Sequence, residues 1–75
     1  MKAELVREAL RDGQRVALLR CYDDPSDQAT VVEAEIHPAS GPPVKRAYRF
    51  VTAPEAFKFV QEALLTLQYL GCKVA

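Results

Sequence analysis

Several residue types are scarce or missing in this sequence. Its 75 residues include no tryptophan, no asparagine, one histidine and three glycines. One histidine excludes a metal site with two imidazole ligands within these residues, and three glycines leave little material for a phosphate-binding loop. No Gly-x-Ser-x-Gly elbow or similar catalytic motif is present. We therefore expect a protein that is not an enzyme and that has no cofactor and no metal site.

The sequence also lacks an excess of charge and a long apolar run. Ten basic and ten acidic residues cancel, which argues against nucleic acid as a partner because phosphate-binding domains are normally basic. No uncharged run approaches the roughly 18 residues of a membrane span, and the N-terminus lacks the apolar stretch of a signal peptide. We expect a cytoplasmic protein that does not contact a membrane.

The two cysteines, Cys21 and Cys72, form no CxxC pair. In a cytoplasmic chain such residues are typically reduced thiols that pack as small hydrophobic side chains. A disulfide between them stays open, because sequence spacing alone does not supply its geometry. The lack of asparagine and tryptophan is, in addition, typical of a thermophilic or GC-rich source.

The composition that is present predicts one small globular domain over residues 1–75. Hydrophobic residues make up 49% of the chain and charged residues 27%, as in ordinary folded proteins. A domain of this size buries only about 60% of the surface that its unfolded chain exposes. It therefore usually needs a disulfide, a metal or a second copy for stability.

The first segment, Lys2 to Asp12, has the pattern of an amphipathic helix. Ala3, Val6 and Leu10 recur at helical spacing. Gly13 follows where a helix commonly ends in a left-handed residue. We expect a helix of about three turns that docks on the rest of the domain.

Three strands are predicted next, at Gln14–Tyr22, Gln28–His37 and Val44–Val51. The first is apolar on both faces, which is typical of a strand covered on both sides. The second alternates apolar and polar residues. Turn-forming residues separate all three, so an antiparallel meander is expected.

The register between the second and third strands is limited by charge. One register places Glu35 opposite Lys45, and a register shifted by two places Glu33 opposite Arg49. Both put opposite charges together on the polar face. The sequence leaves both registers open.

The last segment predicts a helix from about Pro54 to Leu70. Thr52 and Glu55 match a capping box, and an apolar stripe at helical spacing follows. Gly71 is expected at the C-terminal cap, with Cys72 packed back on Leu67 as in a Schellman motif. The remaining residues either fray or add a short edge strand.

These elements predict an α+β fold in the order helix–strand–strand–strand–helix, with both helices packed on one face of a three-stranded antiparallel sheet. The order resembles that of double-stranded RNA-binding domains. In that family a lysine cluster at the start of the second helix contacts phosphates. The corresponding segment here, Thr52 to Lys58, contains one lysine and one glutamate, so the resemblance extends to topology and not to the binding motif.

Surplus apolar residues favour association with a second copy. Leu65 and Tyr69 fall outside the main stripe of the last helix, and Phe59 lies at its margin. Leu19 and Cys21 share one face of the doubly apolar first strand. We predict that these five residues form the interface of a homodimer, the commonest oligomer type.

The function predicted is a non-catalytic interaction module that is a homodimer and that binds another protein or macromolecule. An alternative is a nucleic-acid-associated protein that uses Lys45 and Arg49 on the polar face of the sheet. A third is an enzyme whose site is completed across a dimer interface with Cys21 or His37. The two alternatives stay open at the level of sequence.

Overall fold

The first described segment is a strand. The computed structural model describes residues 5–75, and β1 (Leu5–Arg11) is followed directly by β2 (Gln14–Asp24). Asp12 and Gly13 join them in a two-residue turn with φ values of 53° and 78°. The predicted helix over residues 2–12 is therefore wrong from residue 5 onward, and its residues 2–4 lie outside the described part.

The physical reason for this error is that pairing outweighs local propensity. The segment is rich in good helix formers, but Asp-Gly between two apolar stretches is also a strong hairpin signal because both residues tolerate positive φ. In the hairpin, β1 pairs antiparallel with β2 from Leu5–Cys21 to Arg11–Gln14. This pairing satisfies one side of the β2 backbone, which an isolated helix of three turns does not do.

The other elements complete one sheet and one helix. They are β3 (Ala29–Ile36), β4 (Val44–Phe50), α1 (Ala53–Tyr69) and β5 (Lys73–Val74). The strand order is β4-β3-β2-β1-β5, and every pairing is antiparallel. The fold is thus a five-stranded antiparallel sheet with one C-terminal helix, and the predicted helix–strand–strand–strand–helix order is wrong. The topological resemblance to double-stranded RNA-binding domains depended on that order and is therefore also wrong.

The three predicted strands and the final helix are confirmed with shifts of one or two residues at their ends. The β3–β4 register pairs Glu35 with Lys45 and Val32 with Tyr48, which is one of the two registers left open. The C-terminal tail adds an edge strand on β1, where the backbones of Glu8 and Ala75 exchange two hydrogen bonds of 3.2 and 2.9 Å.

Both ends of α1 are capped as the sequence predicts. The Thr52 hydroxyl accepts a hydrogen bond from the Glu55 backbone N–H at 3.4 Å and donates one to the Glu55 carboxylate at 2.9 Å. At the other end, Gly71 has φ +93°, and the Cys72 N–H donates to the Leu67 carbonyl at 3.0 Å. This is the hydrogen bond of a Schellman motif. Within residues 5–75, no helix is long and apolar enough to cross a membrane.

The core lies between α1 and one face of the sheet. Its main cluster holds Leu19, Cys21 and Val32 from the strands with Ala56 and Val60 from the helix. A second cluster, around Ala9, Ala17 and Cys72, lies beneath the helix C-terminus. The two cysteines are buried, belong to different clusters and are not joined by a disulfide.

The opposite face of the sheet carries no helix among residues 5–75, yet two of its apolar residues are buried. Leu18 lies between Glu8 and Glu35 in the register, and Val31 is next to Arg49. Leu18 and Val31 are only 6% and 2% exposed. The aliphatic stems of the neighbouring charged side chains cover them, which explains why β2 is apolar on both faces.

Candidate interaction surfaces

Two of the five predicted interface residues lie inside the domain. Leu19 and Cys21 are 4% and 1% exposed, and α1 covers them. Their apolar character is therefore explained by packing within one chain, and they are not available to a partner. The sequence analysis did not find this because β2 is apolar on both faces, and the pattern does not show which of them the helix covers.

Leu65 and Tyr69 lie on the side of α1 that faces away from the sheet. They are 50% and 82% exposed, and they share this side with Lys58 and Glu62 at helical spacing. We call these four residues the outer helix face. It combines two large apolar groups with one cation and one anion.

Phe59 connects the helix to the edge of the sheet. Its ring centroid lies 5.0 Å from that of Tyr48 and 5.3 Å from that of Phe50, with interplanar angles of 45° and 44°. Tilted ring pairs at this distance are favourable beyond the area that they bury. Phe59 is half-buried, so its first role is to fix α1 on β4.

The large apolar side chains are distributed unusually for a domain of this size. The largest fully buried side chains are two valines and a cysteine, and four of the buried core residues are alanines. Eight large apolar side chains, five of them larger than valine, are exposed among residues 5–75. These are Val6, Ile36, Val44, Tyr48, Val51, Leu65, Tyr69 and Leu70.

The outer edge of β4 is open in the described part of the chain. β4 is the last strand of the sheet order, and its ladder with β3 runs without a bulge over seven residue pairs. Six of its seven residues are exposed. The other edge is covered by the two-residue strand β5. We call the outer side of Val44–Phe50 the β4 edge; it presents a row of unpaired backbone groups.

The cations predicted for nucleic acid lie on β4 beside carboxylates. The Lys45 ammonium is 3.8 Å from Glu35, and the Arg49 guanidinium contacts both Asp24 and Asp27. The Lys45 and Arg49 side chains are nevertheless 66% and 55% exposed. Both cations point to the helix-free face of the sheet, and a phosphate there would compete with three carboxylates.

Asp24 gives a measurable reporter of this charge cluster. Its carboxylate accepts a 2.6 Å hydrogen bond from the Ser26 hydroxyl and a 3.2 Å bond from Arg49. Both bonds favour the ionised form, the Ser26 bond most, so the pKa of Asp24 lies below its ordinary value.

We expect Ser26→Ala and Arg49→Gln each to raise the pKa of Asp24, when carboxyl carbon shifts are titrated by NMR. A lowered native pKa stabilises the fold above the unfolded-state pKa, near pH 4, and the effect is lost as the pH falls through the native pKa. The stability difference between the parent and Ser26→Ala should therefore disappear in acid. An equal pKa in all three proteins would contradict this account.

An apolar groove lies between β4 and α1 on the helix side of the sheet. Its volume is about 300 Å³, and we call it the β4 groove. Arg46 and Tyr48 line it from β4, and Phe59 and Thr66 line it from the helix. Tyr48 and Ile36 are each 41% exposed. The sequence did not reveal this groove, because it depends on how α1 crosses the sheet.

Arg46 is the cation of the β4 groove. Its guanidinium donates to the Lys45 carbonyl at 2.9 Å, and no carboxylate of residues 5–75 lies within ion-pair distance of it. The apolar walls and this one cation suit an amphipathic group that carries negative charge.

The residues considered for catalysis do not converge. His37 follows β3 and is half-buried, with Nε2 2.7 Å from a Glu35 carboxylate oxygen. Cys21 lies under α1 in the core. Over residues 5–75, no group of three or more His, Cys, Asp or Glu side chains is arranged to hold a metal ion.

Comparisons with known proteins add no identification. No protein-family model, curated protein or solved structure matches the chain significantly. The function of this protein is therefore inferred from its outer helix face, its β4 edge and its β4 groove.

Proposed function

We propose that this protein is a non-catalytic interaction module that forms a homodimer through the outer helix face. The observation that supports this most is the distribution of apolar side chains. The largest fully buried side chains are valines, whereas Leu65 and Tyr69 lie outside the core. Domains of this size commonly complete their stability by association. A second copy is the simplest partner, because a twofold axis brings the same patch on both chains together.

The chemistry of the outer helix face suits such a pairing. In an antiparallel pair of α1 helices, the Lys58 end of one helix lies against the Tyr69 end of the other. A cation over a tyrosine ring is favourable, and Leu65 of both copies is then near the axis. Burial of these side chains adds roughly 25 cal/mol for each Å² of apolar surface removed from water.

Sedimentation equilibrium over a concentration series tests the dimer. We expect the parent to have twice the mass of one chain. Leu65→Glu should shift it to the monomer by burying unpaired charges near the axis, and Tyr69→Glu should weaken it by removing the apolar surface of the tyrosine ring. Gln68→Glu is the matched control, since it adds the same charge at an exposed position of the same helix. We expect it to leave the mass unchanged.

Circular dichroism of each variant shows whether the monomer is still folded. A parent that stays monomeric up to millimolar concentration would contradict the homodimer. A dimer that both glutamate variants leave intact would place the interface elsewhere and would equally rule out the outer helix face.

Nucleic-acid association is the second candidate, supported by the two exposed cations Lys45 and Arg49 on one face of β4. The neighbouring carboxylates weaken this support. The candidate requires binding that falls steeply with salt, because phosphate contacts release counterions. No retardation of single- or double-stranded DNA or RNA at low salt would eliminate it.

We infer that the protein works in a reducing compartment, the cytoplasm. The support for this is the placement of its two cysteines, which are buried in separate clusters and not joined by a disulfide. Proteins of oxidising compartments and similar size typically join such residues in disulfides.

A further inference from the structure

The β4 edge has the form of a template for an added strand. It is regular over seven residues, free of bulges and exposed, whereas natural edges are usually short, bulged or covered. Its one protective feature is charge: Lys45, Arg46 and Arg49 are basic, and the strand contains no acidic residue.

These charges disfavour pairing of β4 with β4 of a second copy. In a twofold antiparallel pair, residues at equal distances from the axis face each other. An axis at residue 45, 46 or 49 puts a cation against its own copy, and an axis at residue 47 puts Lys45 against Arg49. An axis at Tyr48 puts no cation directly opposite another cation. It still aligns three cations of each chain, six in all, along the contact between the two strands.

The same charges favour a strand that carries acidic residues. Side chains of an added strand alternate between the two faces of the sheet. On the helix-free face they would meet Lys45 and Arg49, which are 66% and 55% exposed although each already contacts a carboxylate of its own chain. On the helix side they would lie beside Arg46 and Tyr48, the residues of the edge strand that line the β4 groove.

We propose that the β4 edge binds an extended segment of a partner protein in which acidic and apolar residues alternate. The segment adds a sixth strand to the sheet, so that main-chain hydrogen bonds supply affinity and the two sets of side chains supply specificity. Its acidic residues pair with Lys45 and Arg49. Its apolar residues pack against Tyr48 at the outer side of the β4 groove. This proposal does not depend on the homodimer, which uses the opposite side of α1.

A blocked seven-residue peptide of alternating glutamate and valine is the probe, titrated into the full chain and followed by amide NMR shifts. We expect saturable shifts confined to β4 and the β4 groove, with slowed amide exchange in Val44–Phe50. Two control peptides are used. One has the same composition with its glutamates and valines grouped in separate blocks, and the other has lysine in place of glutamate. Both should bind at least about tenfold more weakly.

N-methylation of the peptide tests strand addition without altering the protein. Alternate N–H groups of an added strand face its neighbour. Two peptides are made, each methylated on one of the two alternating sets of backbone N–H groups. One should lose binding, and the other should bind like the unmethylated peptide. Equal behaviour of the two peptides would overturn strand addition.

Charge reversal in the protein tests the acidic specificity. We expect Lys45→Glu to weaken the binding of the glutamate peptide about tenfold and to strengthen the binding of the lysine peptide. Lys73→Glu on β5, at the opposite edge of the sheet, is the matched control and should change neither. Unchanged affinity in Lys45→Glu, or shifts that map away from β4, would overturn the proposal.

The experiment also separates the other occupants of this edge. Protection of β4 amides that rises with protein concentration in the absence of peptide would identify a second copy and refute the acidic segment. Leu65→Glu should bind the peptide like the parent. Failure of the homodimer and failure of the β4 site are therefore observed independently.

Discussion

Ala9→Asp is expected to prevent folding, whereas Val6→Thr is expected to change stability by less than about 0.5 kcal/mol. Ala9 is fully buried between Ala17 of β2 and Val74 of β5, in the cluster that contains Cys72. A carboxylate there has no cationic partner, which costs roughly 3–5 kcal/mol. That is most or all of the stability of a domain this small.

Val6 provides the comparison that distinguishes the strand from the predicted helix. It is 49% exposed, and threonine keeps the β-branched shape that strands favour. If residues 5–11 were helical, Val6 would lie at the centre of the buried stripe, and the added hydroxyl would cost at least about 1 kcal/mol. Urea unfolding followed by circular dichroism measures both variants.

A stable, folded Ala9→Asp protein would contradict the burial of β1 between β2 and β5. A large loss of stability in Val6→Thr would support the helix over the strand. The two results are independent, because the residues lie on opposite faces of β1.

Phe59→Ala should lower the free energy of unfolding by about 3 kcal/mol. The substitution removes both ring contacts that hold α1 against β4, at centroid distances of 5.0 and 5.3 Å, and it widens the β4 groove. Phe59→Leu keeps most of the apolar volume and loses the ring pairs, so a loss of about 1 to 2 kcal/mol is expected.

The concentration dependence of this effect decides what Phe59 does. If Phe59 fixes the helix within one chain, its substitution lowers the free energy of unfolding equally at low and high protein concentration. If Phe59 acts only in a dimer interface, the substitution lowers it in proportion to the dimer population. Urea unfolding at two concentrations, a hundredfold apart, distinguishes these cases; a loss seen only at the higher one would contradict the role assigned here.

The outer helix face could be predicted from the sequence because it depends on local structure alone. Once α1 is identified, its period of 3.6 residues places Leu65 and Tyr69 opposite the buried side. The predicted meander already places its third strand, β4, at an edge of the sheet, but the β4 groove could not be predicted. An edge strand is defined by which strands lie beside it, and a groove by how a helix crosses the sheet.

Residues 5–13 show where local signals stop being decisive. Their helical periodicity and their Asp12-Gly13 hairpin signal point to different structures, and Gly13 suits both a helix end and a tight turn. The sequence pattern contains no information about which partner is available to the segment. Pairing with β2 on one side and β5 on the other selects the strand.

The sequence by itself determined α1 with both caps, the strands β2 to β4, and a β3–β4 register within two choices, because caps, turns and alternation act over a few residues. Only the tertiary structure decided that β1 is a strand, that Leu19 and Cys21 are buried, and that α1 leaves a groove beside β4. These features depend on hydrogen bonds and apolar contacts between segments far apart in the chain. Such contacts stabilise a fold only once the whole sheet has formed.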